Sequence, residues 1–190
     1  MPLDDALRWN ARYQDPAAHW PASPRPLLRE VAHLLPTAGL ALDVAMGLGG
    51  NAALLLERGL RVIGVDISIV AVRRAKARLP ALGAVVLDLT RFTLPSEKFD
   101  VILNFYYLNR DLWAQYRRAL KPGGVLVAET MTRAMLAVRP DLDPGHLLEP
   151  GELRAAFCDW DVLVDFEGWR GGRAARRKAV AQLVARRPAR

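Results

Sequence analysis

The stretch Leu40-Ala-Leu-Asp-Val-Ala-Met-Gly-Leu-Gly-Gly-Asn51 constrains this chain more than any other. Leu40 to Val44 is a short apolar run that predicts a buried strand. Gly47-Leu-Gly49-Gly50 then breaks the run, and Asn51-Ala-Ala-Leu-Leu-Leu-Glu-Arg58 predicts a helix. A strand, a glycine turn and a helix start in succession bring backbone close to a bound molecule, because glycine has no Cβ and tolerates positive φ. The helix start adds N–H groups without partners in the helix. Asp43, inside the strand, can accept hydrogen bonds from a ligand or from the turn itself.

About eighteen residues beyond the turn, Arg61-Val-Ile-Gly-Val-Asp66 reads as a second strand ending in an acid, a position suited to the two hydroxyls of a ribose. A glycine loop and a ribose acid in consecutive β-α units point to a ligand containing adenosine. One candidate is a nicotinamide dinucleotide, because Gly47-x-Gly49-x-x-Ala52 fits G-x-G-x-x-G/A. Against it stands Asp43, which would repel a pyrophosphate at the helix N-terminus and attract an amino group. S-adenosylmethionine carries such a group.

The pass along the chain predicts a helix over 3–13, then an extended proline-rich segment, Asp15 to Pro26, carrying Pro16, Pro21, Pro24 and Pro26. Trp9, Tyr13 and Trp20 in this region are placed to pack over a site or against the body. A helix over 27–35 leads into the first strand. Ser68 is an N-cap residue for a helix running to Leu79. Ala84 to Asp88 is the third strand. Asp88 either accepts from an adenine amine or caps its own loop. Phe99 to Phe105 is the fourth strand, Asp111 to Leu120 a helix, and Val125 to Glu129 the fifth strand after the breaker Lys121-Pro-Gly-Gly. The alternation implies parallel strands with right-handed crossovers. Pro150 to Phe157 is a helix, Trp160 to Glu167 a strand, and Lys178 to Ala185 a second strand joined by a short loop, hence antiparallel. Met131 to Leu148 is long enough to serve as a lid.

Composition narrows the class. With 190 residues there is room for one full core, and 52% hydrophobic content excludes a disordered chain. No apolar run reaches the roughly 18 residues of a membrane span, and the acidic start lacks the basic and apolar regions of a signal peptide. Cys158 is the single cysteine, so no internal disulfide framework forms, and on a helix beside Phe157 it reads as a buried small hydrophobe. The cytoplasm is the default location. Of the 27 basic residues, eight follow Glu167 with no acid among them, leaving 19 bases against 20 acids before. That tail reads as a solvated loop and terminus ahead of a nucleic-acid surface.

With Asp43-x-Ala45-x-Gly47-x-Gly49, Asp66, Asp88, Lys121-Pro-Gly-Gly and the closing hairpin, the chain resembles the class I S-adenosylmethionine-dependent methyltransferases over roughly 9–185. Ala45 departs from their usual glycine. Trp9-Asn-Ala-Arg-Tyr13, Gly47 to Asn51, Asn104-Phe-Tyr-Tyr107 and Leu148-Glu-Pro-Gly-Glu152 are similar to a small bacterial subgroup labelled tellurite-resistance-type. The resemblance implies an α/β, Rossmann-like, doubly wound sheet of seven strands, order 3-2-1-4-5-7-6, with strand 7 antiparallel. It implies one domain over 1–190, with a helical and proline-rich cap over 1–36 on a body over 37–190.

It further implies S-adenosylmethionine as cofactor. Asp43, Gly47 and Gly49 would line the methionine end, with Asn104 reaching it by its carbonyl and Ala45 and Asn51 also binding the cofactor. Asp66 would hold the ribose, Ile67, Asp88 and Leu89 would border the adenine, and Tyr13 would close over it. No residue is assigned to a metal. Tyr106 and Tyr107 are candidates to face the sulfonium, and His146 to serve as a base if the acceptor carries a proton; an exposed loop histidine is the competing reading. The acceptor is expected to be a small, largely apolar or soft molecule. Asn104-Phe-Tyr-Tyr107 lacks the Asn/Asp-Pro-Pro-Tyr of enzymes that methylate amino groups of nucleic acids. The competing readings are a nucleic-acid methyltransferase using the basic tail and a non-catalytic cofactor-binding protein.

Overall fold

A computed structural model describes residues 2–17, 20, 22–171 and 177–189. The elements run α1 (Pro2–Gln14), α2 (Pro26–Glu30), β1 (Leu40–Val44), α3 (Gly50–Glu57), β2 (Arg61–Asp66), α4 (Ile69–Arg78), β3 (Gly83–Val86), β4 (Phe99–Phe105), α5 (Asp111–Ala119), β5 (Leu120–Met131), α6 (Glu152–Ala156), β6 (Asp161–Arg170) and β7 (Lys178–Arg186). The seven strands form one sheet in the order β3-β2-β1-β4-β5-β7-β6. The first five are parallel to one another, and β7 runs antiparallel to both β5 and β6. The α/β class, strand order and antiparallel β7 all follow the expectation from sequence.

The central strands are covered on both faces, which is why they are apolar without alternation. Every residue of β1 is buried. Its odd-face residues Leu40, Leu42 and Val44 join a core with Tyr116 of α5 and Phe157 and Trp160 after α6. On the other face Ala41 lies in a core with Leu27 and Leu28 of α2, Leu55 of α3 and Val72 and Ala75 of α4. Each fully buried leucine contributes roughly 1.5–3 kcal/mol.

Several boundaries differ from expectation. The helix over 27–35 breaks at Val31 (φ −98°, ψ 4°), and a 3₁₀ turn over Ala32–Leu34 follows α2. The third strand stops at Val86, leaving Asp88 in the turn beyond it. Lys121-Pro-Gly-Gly lies inside β5 and does not precede it. Leu120 already pairs with Phe99, and Gly123 and Gly124 exchange backbone hydrogen bonds with Arg187, so the ladder tolerates a proline at an irregularity between Phe99 and Val101. Helix α6 is shorter than 150–157, starting after Gly151 at φ +71°. Cys158 is exposed and no part of the core. No described helix is long and apolar enough to cross a membrane.

The segment over 131–148 does not roof the site. Thr132 bridges Leu148, the Thr132 N–H donates to the Ala179 carbonyl, and Met135 and Leu147 pack on Ala179 of β7 with Trp169 of β6 alongside. The apolar side chains that looked suited to a lid are buried against the closing hairpin.

Candidate active site

A cavity of about 400 Å³ opens at the carboxyl ends of β1, β2, β3 and β4, where ligands of open α/β sheets bind. Its floor is the turn after β1. Gly47 adopts φ +55°, and a Cβ there would lie 2.7 Å from the Tyr13 hydroxyl oxygen. A Cβ on Gly50 would stand 2.5 Å from the Ser23 carbonyl, so the chain entering α2 rests directly on the first turn of α3. The side-chain carbonyl of Asn51 receives the Arg25 N–H at 2.9 Å and ties the same two segments.

The roof is α1 with Trp20. Ser68, the N-cap of α4, accepts from Ala71 N–H and donates its hydroxyl to Asn10 at 2.7 Å. Arg74 donates to the Tyr13 carbonyl and Trp20 to the Arg12 carbonyl. Trp9, Tyr13 and Trp20 pack with ring centres 5.0–5.9 Å apart. The aromatic residues of the N-terminal segment therefore cover the cavity and also pack on the body, as both expected readings require.

The acids sit low in the site. Asp66 accepts from Gly47 N–H and Ser68 N–H, both at 2.9 Å, and burial raises its pKa. Asp43 lies beneath the turn, 1% exposed. Burial pushes its pKa up to about 7; the nearby Ala52 N–H and Arg25 pull downward, and the Asp66 charge adds to the rise. One oxygen of Asp43 and one of Asp88 are buried without a hydrogen-bond partner. The other Asp88 oxygen accepts from Thr90 N–H and Thr90 hydroxyl, so this residue caps its loop and still presents a free acceptor. An unpaired buried acceptor costs about 1–3 kcal/mol, which a ligand's donors would recover. The acid excess suits a cationic ligand.

Of the residues expected at the site, Tyr13, Ala45, Gly47, Asn51, Asp66, Ile67, Asp88, Leu89, Tyr106 and Tyr107 line this cavity. Four others do not. Asp43 is below the floor. Gly49, at φ +70°, caps α3 and faces Ala75, Leu79 and Leu82. The Asn104 amide donates to the Tyr116 hydroxyl at 3.0 Å beside a separate internal cavity of about 10 Å³. His146 is remote from the cavity lining and exposed, 3.8 Å from Asp143.

The structure adds residues that no local signal marked. Arg25, from the proline-rich stretch, lines the cavity with its guanidinium 4.7 Å from the centre of the Tyr106 ring. The Lys178 ammonium is 4.3 Å from that same centre. Buried Glu129 accepts from Gln182 at 2.6 Å and interacts with the Tyr106 hydroxyl. Burial, followed by Glu129, raises the Tyr106 pKa, and burial raises that of Tyr107, so both are phenols at neutral pH.

The basic tail is engaged within the fold where it is described. Arg170 stacks on Phe166, Arg177 on Trp169, Arg186 reaches Asp161 and Arg187 reaches Glu97. Arg173, Arg176 and Arg190 lie outside the described residues.

Comparison with known proteins agrees with this geometry. A family model described as a methyltransferase domain matches residues 41–124, from β1 through the Gly123-Gly124 pair. The chain is 32% identical over 116 residues to a probable S-adenosylmethionine-dependent methyltransferase of Mycolicibacterium smegmatis, covering 57% of this chain and 45% of that protein. It is 32% identical over 136 residues to probable thiol methyltransferase 2 of Arabidopsis thaliana, covering 63% and 59%. The chain thus spans about half the length of the curated relatives it matches. Among solved structures, geranyl diphosphate C-methyltransferase of Streptomyces coelicolor, in complex with Mg²⁺, geranyl diphosphate and S-adenosyl-L-homocysteine, superposes with a TM-score of 0.70 at 17% identity, over 98% of this chain and 97% of that one. That likeness concerns the fold. The matches leave the tellurite-resistance-type subgroup unassigned. A methyltransferase domain is thus matched over residues 41–124, and the sheet order and glycine turn are those expected of a class I S-adenosylmethionine-dependent methyltransferase.

Proposed function

We propose that the chain transfers a methyl group from S-adenosylmethionine to a small, soft, largely apolar acceptor, with a thiol as the favoured class. The observation that carries this reading is the covered cavity: a glycine floor with the buried Asp43 beneath it and an unpaired Asp88 oxygen at its edge, walled by Trp9, Tyr13, Trp20, Tyr106 and Tyr107. A long nucleic-acid or protein chain does not fit beneath such a roof, and small-molecule sites are enclosed and mostly apolar. The similarity to a thiol methyltransferase supports a sulfur acceptor.

In this reading the cap over 1–36 closes on the body over 37–190. Asp66 holds the ribose hydroxyls, since each carboxylate oxygen has a lone pair beyond the one given to Ser68 or Gly47. Ile67 and Leu89 border the adenine, and the free Asp88 oxygen accepts from its amine. Gly47 and Ala45 let the methionine end come close to backbone, Asn51 and Tyr13 flank it, and Asp43 supplies the negative charge for its amino group. Gly49 acts by shaping the turn, and Asn104 by its backbone carbonyl.

When bound, the cofactor supplies a methyl group on a cationic sulfur. The chain's own contribution is alignment, which alone supplies about 7–11 kcal/mol in well-oriented reactions. Tyr106 and Tyr107 offer ring faces to a cation, worth roughly 0.5–2 kcal/mol. The roof excludes water. His146 takes no part.

Formation of S-adenosylhomocysteine from S-adenosylmethionine, measured with a panel of aliphatic and aromatic thiols, phenols, amines and an RNA pool, tests the proposal. Turnover with thiols supports it. Turnover with RNA alone, or tight cofactor binding with no turnover on any acceptor, overturns it.

A further inference from the structure

Tyr106, directly after β4, lies in the left-handed region at φ +60°, an unfavourable backbone conformation for an aromatic residue. The Tyr106 N–H donates to the Glu129 carbonyl at 2.8 Å, which anchors the residue in that conformation. The result is a ring wall of the cavity with two cations close to it, the Arg25 guanidinium at 4.7 Å and the Lys178 ammonium at 4.3 Å from the ring centre.

Among the described residues, neither cation has a carboxylate within 4.0 Å. Neighbouring basic residues do: Arg186 pairs with Asp161, Arg187 with Glu97, and Arg117 with Asp159. Glu129 is the acid that acts on Lys178, but it is buried and accepts from Gln182 at 2.6 Å. Asp43 is the acid that acts on Arg25, but it lies buried below the floor with its pKa pushed up to about 7, so while it holds its proton Glu129 alone faces the two cations and positive charge is in excess. An ammonium is strongly hydrated and costly to withdraw from water without a counter-ion. In keeping with this, burial and then Arg25 push the Lys178 pKa down, with Glu129 opposing.

We propose that this corner is a subsite for a small soft monoanion, of the thiolate or pseudohalide kind, held by Lys178 and Arg25 against the Tyr106 ring. The inference rests on the methyltransferase reading of the cavity and deepens it: the acceptor binds with its attacking atom negatively charged. An apolar ring beside excess positive charge favours a weakly hydrated anion over a strongly hydrated one such as sulfate.

The test uses the full chain and thiocyanate as probe. S-adenosylhomocysteine is first titrated calorimetrically into wild type, Lys178→Met and Lys178→Arg. Sodium thiocyanate is then titrated into each saturated protein at constant ionic strength, with sodium sulfate as control. The expected result is saturable thiocyanate binding in wild type, weakened at least tenfold in Lys178→Met and retained within threefold in Lys178→Arg. S-adenosylhomocysteine affinity stays within about twofold in all three. Equal thiocyanate affinity in wild type and Lys178→Met overturns the subsite, as does the absence of saturable binding in wild type. Failure of wild type to bind S-adenosylhomocysteine overturns the cofactor reading, and the subsite with it, and is seen separately in the first titration.

Discussion

The backbone N–H of Gly47 donates to the Asp66 carboxylate at 2.9 Å, so the acid that ends β2 also fixes the turn that follows β1. Its second oxygen holds Ser68 N–H at the start of α4. One side chain therefore joins two β-α units across the mouth of the cavity. Asp66→Ala is expected to weaken S-adenosylhomocysteine binding by about 1–3 kcal/mol, the range for lost charged hydrogen bonds. Chemical denaturation should show a stability loss of similar size, because Gly47 and Ser68 each lose an acceptor. A variant that loses stability and keeps its affinity would assign Asp66 to the fold alone.

Asp43 makes stability depend on pH in an unusual direction. Its pKa moves from 3.8 to about 7, chiefly through burial. Between these values the unfolded chain has released the proton and the folded chain still holds it. Stability contributed by the protonated group is thus full below about pH 4, falls as pH rises and levels off above about 7. A cationic ligand favours the ionised carboxylate, so S-adenosylmethionine affinity should rise with pH across the upper part of that window, by up to about tenfold per unit. Asp43→Asn should flatten both profiles. Denaturation and calorimetric titration at pH 5, 6, 7 and 8 check this.

The bounds of β1, β2 and β4 were legible in the sequence to the residue, because buried parallel strands are apolar runs cut off by turns. The N-cap at Ser68 was legible for a similar reason: a short polar side chain stands directly before a helical pattern. What failed was whatever depends on a distant partner. Pro122 looks like a terminator until Arg187 supplies the bonds that continue β5 past it. The 131–148 segment looks like a lid until β7 offers Ala179 as its packing surface. In the cavity, the glycine turn and the acids were readable because they sit in consecutive β-α units. Arg25 and Lys178 were not, since they come to one ring from positions 153 apart, one in a proline-rich stretch and one on a strand.

Gly47 and Tyr13 define how tightly the roof meets the floor. A Cβ at position 47 would lie 2.7 Å from the Tyr13 hydroxyl and would sit on a backbone at φ +55°. Gly47→Ala should therefore carry two separable costs: roughly 1–2 kcal/mol for the left-handed backbone, and a displacement of Tyr13 that loosens α1. Adding Tyr13→Phe removes the clashing atom and leaves the backbone cost. The double variant should recover part of the thermal stability lost by Gly47→Ala and no more. Full recovery would mean that the backbone at 47 is unstrained; no recovery would mean that the Tyr13 hydroxyl is not the obstacle.

Ala45 raises the same question where the sequence departs from the pattern it resembles. It follows β1 at φ +51°, just before the Met46 N–H bonds to the Val65 carbonyl at 3.0 Å. The left-handed region costs a non-glycine residue about 1–2 kcal/mol. Glycine avoids that penalty but loses about 0.5–1 kcal/mol through its freer unfolded chain. Ala45→Gly should thus stabilise the protein by up to about 1 kcal/mol. The control is Ala41→Gly, four residues earlier in the interior of β1 and fully buried. There glycine gains nothing from the backbone, loses a packed methyl and should destabilise by about 1 kcal/mol or more. Urea denaturation of the two variants beside wild type separates the cases. A loss of stability in both would mean that Ala45 is held without strain, and that its methyl group, at the edge of the cavity, contributes more to packing than its backbone conformation costs.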